Sequence, residues 1–232
     1  MLTYSWALPG NKGASSFGGG ASLLTFTDTF SVSQTPIASP WTKNCTLCKT
    51  VITTGGIATN NAQNGVTNAN DDAIAYVSTS AFLSPSGDYE IVARYAQPGI
   101  NQMEVEILVR VEDTSSTYSC MEVNLNNGGG ELIQINGGIG GNFVEIPGTA
   151  YTIAGGCSDG DWITVRVTGT NPVRVQMWHA PSATPASKTQ YIDYSDSSGN
   201  RKTTGQPGMG FYAAASSGIG NQGWSEFTVT AL

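Results

Sequence analysis

The feature that most constrains this chain is a bracket. Phe26-Thr27-Asp28-Thr29-Phe30 near its start and Trp224-Ser225-Glu226-Phe227-Thr228-Val229 near its end both alternate apolar with polar residues. A period of two puts successive side chains on opposite faces of a strand, one face to bury and one to leave to water. Two such segments at opposite ends of a 232-residue chain predict that the first and last strands pair and close a β-sandwich around everything between them. No window carries apolar residues at i, i+3, i+4 and i+7, and no internal repeat of fixed period is found. The expectation is all-β.

The alternation is clearest over 89–95, 104–112, 120–125 and 162–167, and a hairpin turning at Gly169-Thr170-Asn171-Pro172 leads into 173–178. Further strands are expected around 49–54, 73–78, 131–136, 189–194, 208–214 and 224–231. Parity assigns the faces. Val105, Ile107, Val109 and Val111 point into the core with Met121, Val123 and Leu125; Glu104, Glu106, Arg110 and Glu112 share the opposite face with Glu122 and Asn124. Ile163, Val165 and Val167 point inward, and Trp162, Thr164 and Arg166 outward. A simple register for the 169–172 turn sets Trp162 opposite Trp178 and Arg166 opposite Arg174.

Composition narrows the partners. Twenty-nine glycines and only 12% charged residues fit short strands joined by tight turns. A formal net charge of -7, with ten Lys and Arg residues that form no cluster, disfavours nucleic acid and anionic membranes. No stretch approaches the roughly 18 apolar residues of a membrane helix. Residues 1–21, with Pro9-Gly10 and Gly18-Gly19-Gly20, hold nothing periodic and read as an extended N-terminal arm ahead of a single domain over 22–232. The arm is expected to mediate self-association or contact with other virion proteins. The start Met1-Leu2-Thr3-Tyr4-Ser5-Trp6 has neither the basic residues nor the apolar run of a secretory signal. This gives two expectations for location: a virion surface, supplied from a host cytoplasm, or a secreted mature form with an added Met. Cys45-Thr46-Leu47-Cys48 lacks the second close pair of a zinc site, so free thiols are expected at Cys45, Cys48, Cys120 and Cys157, with a local disulfide as the alternative.

Phe-x-Asp-x-Phe, the following Trp41, the strands Tyr89-Glu90-Ile91-Val92-Ala93-Arg94 and Ile107-Leu108-Val109-Arg110-Val111, Asp161-Trp162-Ile163-Thr164-Val165-Arg166 and the closing Trp-x-Glu-Phe-Thr-Val together resemble the concanavalin A-like jelly rolls, in their laminin-G-like, laminarinase-like branch. The resemblance covers roughly 22–232 and implies an antiparallel β-sandwich whose face often forms a groove for extended glycans. Jelly rolls of this class are often displayed on phage surfaces. Some relatives hold an ion where the first and last strands meet, which here places a structural calcium beside Asp28 and Glu226, with backbone and water supplying the remaining oxygens. The competing reading there is a solvent-exposed edge, and no cofactor is required.

The chemistry favours binding over turnover. Glu104 and Glu106 share a face as a hydrolase pair would, but the Asp between them and the third carboxylate of the laminarinase-type motif are missing. A solvated strand face, with Glu106 and Arg110 balancing charge, is the expectation. The only histidine, His179, precedes Ala180-Pro181 at a strand end and is expected in a surface loop; no Gly-x-Ser-x-Gly elbow is present. Asp71-Asp72, Asp159-Gly160-Asp161 and Asp193-Tyr194-Ser195-Asp196 read as turn caps rather than calcium loops. For a glycan, Trp162 and Trp178 offer stacking, with Glu106, Arg110 and Asn124 as polar partners; the competing role for both tryptophans is to cover the core or a subunit contact. The expected function is a non-catalytic virion surface protein, either capsid decoration or tail-associated, with a lectin-like face. The alternatives are a free carbohydrate-binding module, or a divergent glycoside hydrolase or polysaccharide lyase.

Overall fold

A computed structural model describes residues 25–61, 72–77, 87–97, 103–114, 118–126, 128–136, 143–213 and 222–232; the 1–21 arm and Asp71 lie outside them. All the regular structure among the described residues is strand: β1 (Thr25–Asp28), β2 (Trp41–Thr42), β3 (Lys49–Thr54), β4 (Ile57–Asn60), β5 (Ala73–Val77), β6 (Tyr89–Ala96), β7 (Glu104–Asp113), β8 (Tyr118–Leu125), β9 (Gly129–Gly130), β10 (Leu132–Asn136), β11 (Phe143–Glu145), β12 (Tyr151–Thr152), β13 (Trp162–Thr168), β14 (Val173–Ala180), β15 (Thr189–Asp196), β16 (Gln206–Tyr212) and β17 (Gly223–Ala231). The main order is β11-β10-β8-β7-β16-β5-β3-β4-β17-β6-β13-β14-β15. β3 pairs antiparallel with β4 and parallel with β5, so it carries one layer into the other. The fold is a jelly-roll β-sandwich.

Between a first sheet (β17-β6-β13-β14-β15) and a second (β10-β8-β7-β16-β5) lies one continuous core. Ile91, Ala93, Ile163, Val165, Val175 and Phe227 from the first sheet meet Val105, Ile107, Met121, Val123, Met209 and Phe211 from the second. These are the inward parities of the alternating segments. The bracket closes as the sequence predicts: β1 pairs antiparallel with β17, Phe26 opposite Val229 and Asp28 opposite Phe227. Trp41 seals the junction, its ring 5.5 Å from that of Phe26 and 5.3 Å from that of Phe227. Its Nε1–H donates to Asp28 Oδ2 at 2.8 Å.

Three expectations fail here. Trp162 lies opposite Ala180 rather than Trp178, and Thr168 rather than Arg166 opposite Arg174, because the hairpin pairs about a centre at residue 171, one residue later than the expected register. The pairing slips by two, which keeps every face. In β7 the ladder shifts between Val109 and Glu112, and Arg110 takes φ 55. This bulge reverses parity beyond it: Val111 leaves the main core and joins a second cluster with Ile74, Tyr76, Leu108, Tyr118, Cys120, Ile133 and Ile135 on the far face of the second sheet. Cys45 and Cys48 are disulfide-bonded and belong to that cluster, while Cys120 and Cys157 are free. Lys43 Nζ folds the 43–48 segment on itself, donating to Cys45 O at 2.7 Å and Cys48 O at 2.8 Å, and Asn44 Nδ2 ties the segment to the same face by donating to the Tyr76 hydroxyl at 2.9 Å. No helix among the described residues is long and apolar enough to cross a membrane.

Candidate functional site

The outward face of the first sheet carries both candidate tryptophans. Directly opposite residues share a face, so the pairs Arg94–Trp162, Thr164–Trp178, Glu90–Arg166, Arg166–Gln176 and Gln176–Asp193 put these side chains on one surface. With Trp178 opposite Thr164, two positions along β13 from Trp162, the two indoles are diagonal neighbours rather than a facing pair. Each is half-buried and has an arginine over its ring: Arg94 Cζ is 5.7 Å from the Trp162 centroid and Arg166 Cζ 5.7 Å from that of Trp178. Glu90 Oε2 accepts from Arg166 Nη2 at 2.7 Å, and Asp193 takes two bonds from Arg174, at 2.6 and 2.5 Å. Two flat apolar rings interleaved with fixed donors and acceptors suit a ligand that has both a CH face and hydroxyls.

Of the three expected polar partners, none is there. Arg110 is fully buried and bonds Lys202 O at 2.8 Å and Gly169 O at 2.7 Å, with Asp88 at 3.4 Å. Its backbone N–H donates to the Tyr89 hydroxyl at 2.6 Å. It clamps the bulge. Glu106 and Asn124 are cross-strand partners on the outer face of the second sheet, and this face is not solvated: Glu106 is 1% exposed, Glu122 4% and Asp72 5%. Cys45 and Cys48 of the 43–48 segment and Ile133 and Ile135 of β10 cluster with Leu108, Val111 and Cys120 on this same face, neighbours that alternation along β7 does not reveal.

Asp72, Glu106 and Glu122 each bring a carboxylate oxygen within 4.8 Å of the others. Two full charges at that separation repel by about 3.5 kcal/mol at an effective dielectric near 20. Burial first, and then the neighbouring carboxylates, hold Glu106 and Glu122 well above the usual carboxylate range. Tyr118 donates its hydroxyl to Asp72 Oδ2 at 2.8 Å. Glu106 Oε2 has no hydrogen-bond partner among the described residues, and it occupies the space that a Cβ on Gly210 would take. Alongside opens a cleft of about 320 Å³ lined by Glu104, Asn124, Asn126 and Glu131 with Gly129, Gly130 and Ala150. Burial raises Glu104 there, and Asn126 Nδ2 donates to its Oε1 at 3.1 Å.

His179 is at a strand end as expected but is 7% exposed. Its Nε2 lies 2.9 Å from Asp161 Oδ2, and Asp161 also accepts from Ser158 N at 2.9 Å and Ser182 N at 2.8 Å. Cys157 is near both, but burial and then Asp161 push its thiol up, which disfavours a nucleophilic thiolate. Asp161 and Asp196, which accepts from Ser198 N at 2.8 Å, are caps as the sequence predicts. At the first-strand edge, Asp28 spends its oxygens on Phe30 N–H and Trp41, and the residue it faces is Phe227 rather than Glu226.

No family model matches the chain, and no curated protein sequence matches it either. Solved structures do resemble it. An engineered GH43 glycoside hydrolase with endo-xylanase and exo-arabinofuranosidase activity aligns over 99% of this chain at TM-score 0.50 and 11% identity, the chain spanning 44% of that protein. The carbohydrate-binding module CBM66 from Bacillus subtilis aligns at TM-score 0.47 and 12% identity, over 83% of this chain and 92% of the module. A galectin from Caenorhabditis elegans aligns at TM-score 0.39 and 9% identity, over 70% of this chain and 93% of the galectin.

Proposed function

We propose that this sandwich binds a glycan, without catalysis, across the Trp162–Trp178 face of its first sheet. The observation that carries the reading is the pairing of two half-buried indoles on one sheet face, each with an arginine over its ring. Sugar CH faces stack on such rings, while Gln176, Asp193 and the arginines address hydroxyls or carboxylates. A glycan array followed by calorimetry tests it. Trp162→Ala and Trp178→Ala are each expected to weaken the array hit at least tenfold, about 1.4 kcal/mol. An array without hits, or affinity indifferent to both substitutions, overturns the reading.

The catalytic alternative draws on Glu104 and Glu131, two carboxyls lining one open cleft. Release of reducing ends that disappears in Glu104→Gln would replace the binding reading with a hydrolase. We place the sandwich on a virion surface, anchored through residues 1–21. Support comes from the glycine-rich, sparsely charged composition of the chain and the aperiodic arm. A secreted glycan-binding module is the alternative.

A further inference from the structure

The buried acidic group on the second sheet has no part in the proposed glycan face. Asp72, Glu106 and Glu122 come from three separate places, the approach to β5 and the strands β7 and β8, and all are buried. Buried charge must be neutralised, yet no described lysine or arginine pairs with Glu106 or Glu122. Independently of this clustering, Glu106 Oε2 has no hydrogen-bond partner among the described residues. Its position is also guarded from the neighbouring strand, since only a glycine at 210 leaves room for it.

We propose that Asp72, Glu106 and Glu122 form a binding site for a hard divalent cation, with calcium as the ion that fits. The donor set is oxygen only, which selects hard cations over zinc or copper. Calcium holds oxygens at roughly 2.3–2.6 Å, so two of its ligands are at most about 4.6–5.2 Å apart; the three carboxylates lie within 4.8 Å of one another. Three carboxylates, binding through one or both oxygens, supply most of the 6–8 donors calcium takes. Magnesium keeps several waters, and a site buried to this degree leaves them little room. Tyr118 orients Asp72 from the side, the outer-shell role that fixes a ligand carboxylate. The adjoining cleft, with Glu104 and Glu131 on its wall, gives a cation an acidic approach. The ion would tie β5, β7 and β8 together beneath the disulfide-bonded 43–48 segment. This site is separate from the Asp28–Glu226 edge.

The experiment uses the full chain, stripped with chelator at pH 7. Calcium, manganese and magnesium are added singly while thermal unfolding is followed, and terbium luminescence is excited through tyrosine. The expected result is a saturable rise in Tm with calcium, a terbium signal sensitised by Tyr118 that calcium displaces, and one calcium per chain by native mass spectrometry. Glu106→Gln and Glu122→Gln keep the side-chain shape without the charge. Each is expected to move the calcium midpoint at least tenfold, while Asp28→Asn leaves it in place. Should a glutamine variant fail to fold, the wild-type stoichiometry and terbium displacement decide alone. A wild-type chain indifferent to all three ions overturns the site. So does a calcium response that survives both substitutions. If the glutamine variants unfold at higher temperature while wild type ignores calcium, protons rather than a cation neutralise the group, and the proposal fails.

Discussion

Single residues here carry roles that their sequence neighbours do not announce. Gly210 is one: the Glu106 carboxylate fills the place of its missing side chain. Gly210→Ala should cost about 1–3 kcal/mol in denaturant unfolding, the usual cost of overpacking. Removing the obstruction in Gly210→Ala/Glu106→Ala should recover part of that loss, a non-additivity expected of touching side chains; purely additive costs would mean the two do not compete for space. Asp161 is another. Burial alone would raise its carboxyl, but the Ser158 N–H, the His179 ring and the Ser182 N–H outweigh it and hold the carboxyl below its ordinary value. A carboxyl depressed in the fold contributes stability that is present above its unfolded value, about 3.9, and lost as pH falls through the folded one. The stability gap between wild type and Asp161→Asn should therefore be full at pH 6 and shrink below about pH 4. A gap constant down to pH 2 would assign the effect to packing instead. The cap role of Asp161 was legible from Asp159-Gly160-Asp161; its histidine partner was not, because His179 arrives from another strand.

At the scale of elements, strand positions were legible and registers were not. The alternating segments over 104–112, 120–125 and 162–167 fall within β7, β8 and β13, since period two is a local property of the chain. Register depends on how a turn is taken, and the β13–β14 turn shifts it by two residues. The two tryptophans therefore share a face, as parity requires, without facing each other. The β7 bulge is costlier for sequence reading, because one extra residue reverses everything after it. Arg110 holds that bulge, its guanidinium bonded to the carbonyls of Lys202 and Gly169. Arg110→Met strands those part-buried acceptors and should cost about 3 kcal/mol in urea unfolding. Arg174→Ala breaks only an ion pair exposed to water and should leave the midpoint where it is. Equal effects from the two would count against the clamp.

For the whole molecule, the prediction concerns residues 1–21. If the arm recruits other copies or virion proteins, light scattering on the full chain should report an assembly that a chain lacking 1–21 cannot form. A monomer indifferent to the deletion would overturn that role and favour the free module. The proposed glycan face, on strands of the sandwich itself, should bind equally in both. What the sequence alone determined is the set of properties that alternation and order carry: all-β strands, a core between two sheets, and closure by Phe26–Phe30 against Trp224–Val229. These follow because one apolar face per strand must be buried and a sandwich buries them all. What only the tertiary structure decided is the fate of the opposite faces. Alternation states which side of a strand Glu106 and Trp162 occupy, but not what lies above that side. The 43–48 segment packs its disulfide on the second sheet's outer face, and the first sheet's outer face leaves its tryptophans half-buried. Cover is a long-range, many-body outcome, and it turned an expected solvated carboxylate face into a buried acidic group.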